Sequence, residues 1–348
     1  MAAPTTTSDA GAASGAGAVR VTVIIKALNE AKHIDAAISS ALAAIARVGG
    51  EVILADSGST DRTVEIAARH PITVVQLRHR AERRCGIGPQ LGYQNARGEF
   101  IYILDGDMEL DPEFLPQALQ AMAADARLAG VGGLVEEESD ASYQFRGRKR
   151  RGAAAVARDC EWLDMGGLYR ETSMREIGYF SDRNLHAYEE MDLGLRLGSA
   201  GWKLRRIAAR SVLHHGRPEG NWGLLARRWR SRYLDGAGEL LRAAVGQRYF
   251  LRAAATQRHL FIALLLWMGL INGLFLWRIN HLVLYATFAA VALLVLWRAV
   301  RSGSLVDAVF GQVVWQVTAL AMVRGFFMQP KNPRALIEQV IIKAQPQR

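Results

Sequence analysis

Over the first 110 positions the hydrophobic residues come in short unbroken runs rather than in alternation. Residues 21–25 (Val-Thr-Val-Ile-Ile), 51–55 (Glu-Val-Ile-Leu-Ala), 72–77 and 100–104 (Phe-Ile-Tyr-Ile-Leu) are rich in β-branched and aromatic side chains. Such runs fit strands buried on both faces, as in a parallel sheet covered by helices. Helical spacing fills the gaps, and the first helix is predicted from about Asn29 to Arg47. The order strand, helix, strand, helix, strand, helix, strand predicts an α/β fold with a mostly parallel, Rossmann-like sheet. The second strand ends in Asp56-Ser57-Gly58-Ser59-Thr60-Asp61, a loop running into a helix start. There Thr60 or Asp61 can act as N-cap, and Asp61 and Glu65 suit the helix dipole. The fourth strand stops at Asp105-Gly106-Asp107. Ligands of open α/β sheets bind outside the carboxyl ends of the strands, so Asp56 and Asp105 present acids on the functional edge. Asp-Gly is also ordinary turn chemistry. Two carboxylates in one turn equally suit a hard divalent cation, and that cation suits a diphosphate.

Beyond residue 224 the pattern changes. Residues 224–258 carry Arg and Leu at helical spacing, including Arg227, Arg228, Trp229 and Arg230, which predicts amphipathic helices on a membrane surface. Residues 260–277, interrupted only by Asn272, and residues 281–297 are apolar runs of about 17–18 residues, near the lower limit for crossing a bilayer. The short linker 277–280 predicts a helical hairpin anchored by Trp267, Trp277 and Trp297. A third stretch, 305–323, carries Asp307, Gln312 and Gln316, and crossing, re-entry and an interfacial position all stay open for it. Positive charge flanks the hairpin on both outer sides, at 224–258 and at Arg298 and Arg301, whereas its turn holds Arg278. Both ends are therefore expected in the cytoplasm. Arg324, Lys331, Arg334, Lys343 and Arg348 put the tail there too, so 305–323 is not expected to make a simple third crossing.

Residues 1–18 are Ala, Gly, Ser and Thr-rich and read as a disordered tail without the basic and apolar regions of a signal peptide. The expected organisation is a tail at 1–18, an α/β domain with the acidic edge at 19–223, interface helices at 224–258, and a hairpin with a third apolar segment and basic tail at 259–348. The 348 residues carry a formal net charge of +10. The Arg belt largely accounts for that excess, which argues for an anionic membrane surface as partner and against nucleic acid. The basic run at 146–151 is too short, and too poor in interleaved aromatics, for a nucleic-acid footprint. It suits a solvated loop, anionic lipid, or the phosphates of a bound ligand. Two cysteines, Cys85 and Cys160, imply no disulfide framework.

An ordered set of motifs across residues 20–216 resembles family 2 glycosyltransferases of the GT-A fold. It comprises residues 21–25 followed by Asn29-Glu30; residues 56–63; Ala96-Arg97-Gly98-Glu99-Phe100 leading into Leu104-Asp105-Gly106-Asp107; Gly166-Gly167 with Tyr169-Arg170; Glu189-Glu190-Met191-Asp192-Leu193 with Arg196; and His214-His215-Gly216. The resemblance implies an inverting transfer from a nucleotide-diphosphate sugar to a lipid-linked or glycan acceptor, for cell-surface polysaccharide. It implies a multi-pass protein of the inner (plasma) membrane with a cytoplasmic catalytic domain. Asn29, Glu30, Asp56, Ser57 and Asp105 would bind the nucleotide, although Asn29 also suits a helix N-cap. Asp105, Asp107 and, as in some relatives, His214 would hold a divalent metal, Mn2+ or Mg2+. The general base would come from the segment 189–192, with Glu190 favoured and Glu189 and Asp192 as rivals.

The chain departs from the family pattern in places. Glu190 stands where the family usually has Asp. Lys26 and Ala27 stand where Pro is common, and Lys26 at a strand end suits either a phosphate or solvent. Pro89-Gln90 replaces an Arg-Asn pair, leaving Arg83 or Arg84, or the glycines before that helix, to meet phosphate. Arg228-Trp229 partly matches a motif of processive synthases, but Leu225 stands where those have Gln. A processive polysaccharide synthase and a catalytically inactive membrane scaffold are the alternative readings. Too few apolar segments argue against the first, and intact Asp105, Asp107 and Glu190 against the second.

Overall fold

The computed structural model describes residues 19–138, 157–164, 166–216, 220–278 and 281–344, so the basic run at 146–151 lies outside the described residues. Ten described strands form one mixed sheet: β1 (Val21–Ala27), β2 (Gly50–Asp56), β3 (Thr73–Leu77), β4 (Phe100–Asp105), β5 (Met108–Leu110), β6 (Leu128–Glu137), β7 (Arg158–Cys160), β8 (Gly167–Arg170), β9 (Lys203–His214) and β10 (Gln339–Lys343). Their order is β10-β3-β2-β1-β4-β8-β6-β9-β5, with β7 on β9. The four runs seen in the sequence make the parallel part, β3-β2-β1-β4. Beyond it β8 is antiparallel to both β4 and β6, while β6 and β9 run parallel.

The described helices of this region are α1 (Ile34–Val48), α2 (Thr63–Ala67), α3 (Ile87–Tyr93), α4 (Phe114–Ala124), α5 (Glu171–Ile177) and α6 (Glu189–Ser199). Strand side chains alternate between two buried clusters. Val21, Val23, Ile25 and Ala27 join α1 and α4 in one, and Ile24, Ile53 and Ala55 join α3 in the other. This two-sided cover is why the strands read as continuous apolar runs. The first helix begins at Ile34, later than predicted. Asn29 adopts a left-handed conformation (φ 56°), and residues 29–33 turn instead, so Asn29 does not cap α1.

The C-terminal helices are α7 (Asn221–Arg230), α8 (Gly236–Ala244), α9 (Phe250–Thr256), α10 (Arg258–Phe275), α11 (Leu282–Ser302) and α12 (Leu305–Phe326). The last three are long and apolar enough to cross a membrane. Helices α10 and α11 pair closely, with Gly269 against Thr287 and Gly273 against Leu284. Small residues permit that approach. Helix α12 packs against both members of the pair, and its Gln316 carbonyl accepts from Trp267 Nε1, midway along α10, at 3.4 Å. Trp315 meets His259 at 5.1 Å between ring centroids, and Arg298 stacks over Trp315 at 4.3 Å. Phe310 meets Trp222 of α7 edge-on at 4.9 Å. Its far end docks on the catalytic side: the backbone of Met322 lies against Gly238 and that of Asp235 against Gly325. Arg324 pairs with the fully buried Asp235 at 2.5 Å. Helix α8 is itself buried, joining Leu185 and Leu195 to Ala319 and Met322 in a third cluster.

The tail then returns to the sheet. Strand β10 pairs antiparallel with β3, an element the sequence pattern did not reveal. Gln94 fixes its approach through both backbone groups of Ile337, donating to the carbonyl at 2.8 Å and accepting from the N–H at 3.0 Å.

Candidate active site

Register aligns the ends of three strands. Ala27 pairs with Asp56, and Lys26 with Asp105, so the functional edge carries these residues side by side. The loop after β2 is held from within. Asp56 is fully buried, and its Oδ2 accepts from the N–H groups of Gly58 and Ser59 and from Gln76 Nε2 at 2.8–2.9 Å. Asn29 staples the first strand end to this loop: its N–H donates to Ser59 Oγ and its Oδ1 accepts from Thr60 N–H, both at 2.8 Å. Asp61 Oδ1 accepts from Thr63 N–H at 3.0 Å, so Asp61 shapes the start of α2. Ser57 lines the loop with its N–H on the Ala27 carbonyl. Glu30 lays its side chain over Gly106, beside the Asp105–Asp107 turn.

Arg83 donates to the carbonyls of Ser57 and Gly58 at 2.9 and 2.6 Å, so it braces this loop. The glycines before Pro89 serve packing. Gly86 N–H is spent on the Leu185 carbonyl, and Gly88 lets α3 lie against Lys26.

A narrow cleft opens beside this edge, lined by Lys26, Ile103, Gly166, Tyr169, Glu189 and Glu190 among others. Lys26 Nζ sits between Asp105 Oδ1 at 3.0 Å and Glu189 Oε1 at 3.1 Å. Burial works against its charge, but the flanking carboxylates hold its pKa above the ordinary value. Burial and Asp107 push the Asp105 carboxyl up, against the pull of Lys26. Glu190, the next residue on α6, is pushed up to about 8, chiefly by burial and then by Glu189 and Asp105. Tyr188, just before this helix, is left-handed (φ 69°), a strained conformation for a bulky residue and one that sets the aim of both glutamates. Asp192 lies one turn deeper and is fully buried. It accepts from Arg196 Nε at 2.8 Å, and Arg196 also holds the carbonyls of Tyr179 and Phe180.

Across the turn, Asp107 Oδ2 faces His214 Nε2 at 3.5 Å. His214 is the last residue of β9, and its Nδ1 meets Glu137 Oε2 at 2.6 Å. Desolvation opposes a charged ring, but these two acids push His214 up to about 9. Among the described residues no three His, Cys, Asp or Glu side chains close a metal cage by themselves. A carboxylate and an imidazole facing one another do fit a cation whose remaining ligands are phosphate oxygens and water. The sequence pattern singled out His214 but not Glu137, which sits in a Glu136-Glu137-Glu138 run that reads as solvated; only the pairing of β6 with β9 selects the middle acid.

Residues 22–180 match the family described as glycosyl transferase family 2. This stretch is a family 2 glycosyltransferase domain. An undecaprenyl-phosphate 4-deoxy-4-formamido-L-arabinose transferase of Edwardsiella ictaluri is 28% identical over 36% of this chain and 40% of its own length. An N-acetylglucosaminyl-diphospho-decaprenol L-rhamnosyltransferase of Mycobacterium tuberculosis is 26% identical over 47% of this chain and 66% of its own length. The chain thus spans less than two thirds of either relative. A mannosyltransferase from Pyrobaculum calidifontis, solved with GDP-Man and Mn2+, shares the fold at a TM-score of 0.53 and 20% identity, over 88% of this chain and 86% of that one. The family 2 domain therefore has the mixed GT-A sheet, and its match ends just short of the α6 segment that carries Glu190.

Proposed function

We propose that this protein is a membrane-anchored, inverting glycosyltransferase that moves a sugar from a nucleotide-diphosphate sugar to a lipid-linked acceptor at the cytoplasmic membrane face, for a surface glycan. One observation carries the reading: Glu190 lines a cleft bounded on its other side by Lys26 and the Asp105 strand end. Asn29, Glu30, Asp56, Ser57 and Asp105 form the edge that receives the nucleotide. Asp107 and His214 would hold a divalent cation, with Asp105 beside them, and such a cation neutralises charge on the leaving diphosphate. Glu190 takes the proton of the acceptor hydroxyl as that oxygen attacks the anomeric carbon. The bond to the diphosphate breaks on the opposite face, which inverts the centre. A base whose pKa lies near working pH suits this task. Lys26 pairs with Glu189 and Asp105, and Glu190 lines the cleft in which the acceptor would sit. Both relatives are named for lipid-linked substrates, which supports the choice of acceptor.

The same reading extends to topology. Strands β1 and β10 belong to one sheet, so residues 21–27 and 339–343 lie on one side of any membrane. On this reading the number of crossings between them is even: α10 and α11 would cross, and α12 would not complete a third crossing.

The test uses full-length protein in detergent, a panel of nucleotide sugars, a polyprenyl phosphate acceptor and Mn2+. Transfer by the wild type and its loss in Glu190→Gln, with nucleotide binding retained, is the expected result. Absence of turnover with every donor and acceptor, or full turnover in Glu190→Gln, would sink it.

A further inference from the structure

We propose that Glu137 is a positioning residue for the cation site: it fixes the His214 ring so that Nε2 is presented toward Asp107. This rests on the metal reading of Asp107 and His214. In the parallel pairing of β6 with β9, Glu137 and His214 are direct partners. On the other side of β9, Met108 of β5 pairs with His214, which fixes the neighbouring Asp107 as well. His215 N–H donates to the Asp107 carbonyl at 3.0 Å, and Glu138 N–H to the His214 carbonyl at 3.1 Å. The two donor side chains are thus set by sheet register, not by loop conformation.

The Glu137 side chain is 2% exposed, and its contact lies on the ring nitrogen remote from Asp107. A buried carboxylate is costly unless its charge is used. Holding Nδ1–H leaves Nε2 as the ligating nitrogen and raises its basicity, as carboxylates behind metal-bound histidines do. The neighbouring histidine supplies an internal contrast. His215 is closed at both nitrogens, with Glu138 at 2.7 Å and Glu109 at 2.6 Å. His214 is tight on the Glu137 side but stands 3.5 Å from Asp107. His214 Nε2 and Asp107 Oδ2, 3.5 Å apart, are near enough for one cation to take both as ligands.

The experiment is Mn2+ titration of the full-length protein, following free Mn2+ by electron paramagnetic resonance, alone and with GDP or UDP. Glu137→Gln keeps the shape and a weaker acceptor, and Asp107→Asn is the reference. Loss of a carboxylate behind a ligand costs about 10–100-fold in metal affinity, and that is the expected shift for Glu137→Gln. Asp107→Asn should remove binding. Wild-type affinity in Glu137→Gln, with binding lost in Asp107→Asn, overturns the role of Glu137 and leaves the metal site standing. Unchanged binding in Asp107→Asn, or no uptake by the wild type under any of these conditions, overturns the metal reading itself. Should Glu137→Gln not fold, Glu137→Asp decides: its shorter reach should still weaken Mn2+ severalfold, and unchanged affinity overturns the proposal.

Discussion

Among the acids of α6, each residue has a different fate. Glu189 is spent on Lys26, Asp192 on Arg196, and Glu190 lines the cleft. The raised pKa of Glu190 makes two predictions. Transfer should climb with pH toward about 8, because the base must lose its proton. Stability should run the other way. The folded value lies above the ordinary 4.5, so the native state binds more protons between the two values, and charging Glu190 costs stability as pH rises through that window. Glu190→Gln should therefore melt higher than wild type at pH 8 while losing transfer; an equal or lower melting temperature would count against burial of the charge. Asp192→Asn should do the reverse. It leaves Arg196 buried beside one weakened partner, a loss on the order of 3–5 kcal/mol, read as a lower melting temperature. Transfer by the folded fraction should survive far better than in Glu190→Gln; equal loss in both would move Asp192 into the chemistry.

Glycine contacts decide how the C-terminal elements join the catalytic domain. A Cβ on Gly238 of α8 would lie 1.8 Å from the Met322 carbonyl oxygen and 2.5 Å from the Phe326 nitrogen of α12. Backbone cannot yield as a side chain end can, so Gly238→Ala should force α8 and α12 apart. The expected cost is on the order of 1–3 kcal/mol. Gly198, inside α6 with nothing within 4 Å of its added Cβ, is the control, and Ala there should be neutral or stabilising. Thermal melts of the two variants test this, and an unaffected Gly238→Ala would mean the helices are not in backbone contact. Residues 331–339 brace the domain in a similar way. Lys331 pairs with Glu82 at 2.6 Å, and Arg183 pairs with the same carboxylate, at the turn whose neighbour Arg83 holds the loop after β2.

At the scale of the whole molecule, parity of crossings is the sharpest consequence. With Cys85 and Cys160 replaced, single cysteines at Arg278, Ser302 and Arg334 can be labelled from outside intact cells. Only Arg278→Cys should react, because the proposed topology puts it on the far side and the other two positions on the catalytic side. Labelling of Arg334→Cys would require an odd number of crossings and would pull β10 off β3. Arg324 and Lys331 lie on the catalytic side through Asp235 and Glu82.

The sequence by itself determined whatever depends on local pattern. Unbroken apolar runs at residues 21–25, 51–55, 72–77 and 100–104 became the parallel part of the sheet, since a strand buried on both faces has no polar alternation to show. Asp56 and Asp105 reached one edge because parallel strands end together. The three apolar helices were legible from hydropathy alone. Tertiary structure decided what depends on partners distant in the chain. Asn29 is five residues short of α1 because its left-handed backbone serves the loop after β2. Strand β10 is short, at the sheet edge and in a basic tail, so no periodicity announces it. Glu137 becomes distinct from Glu136 and Glu138 only when β6 meets β9. Register, close glycine contacts and ion pairs arise between distant segments, such as those of Lys331 and Glu82, 249 residues apart, and no window along the chain contains both members.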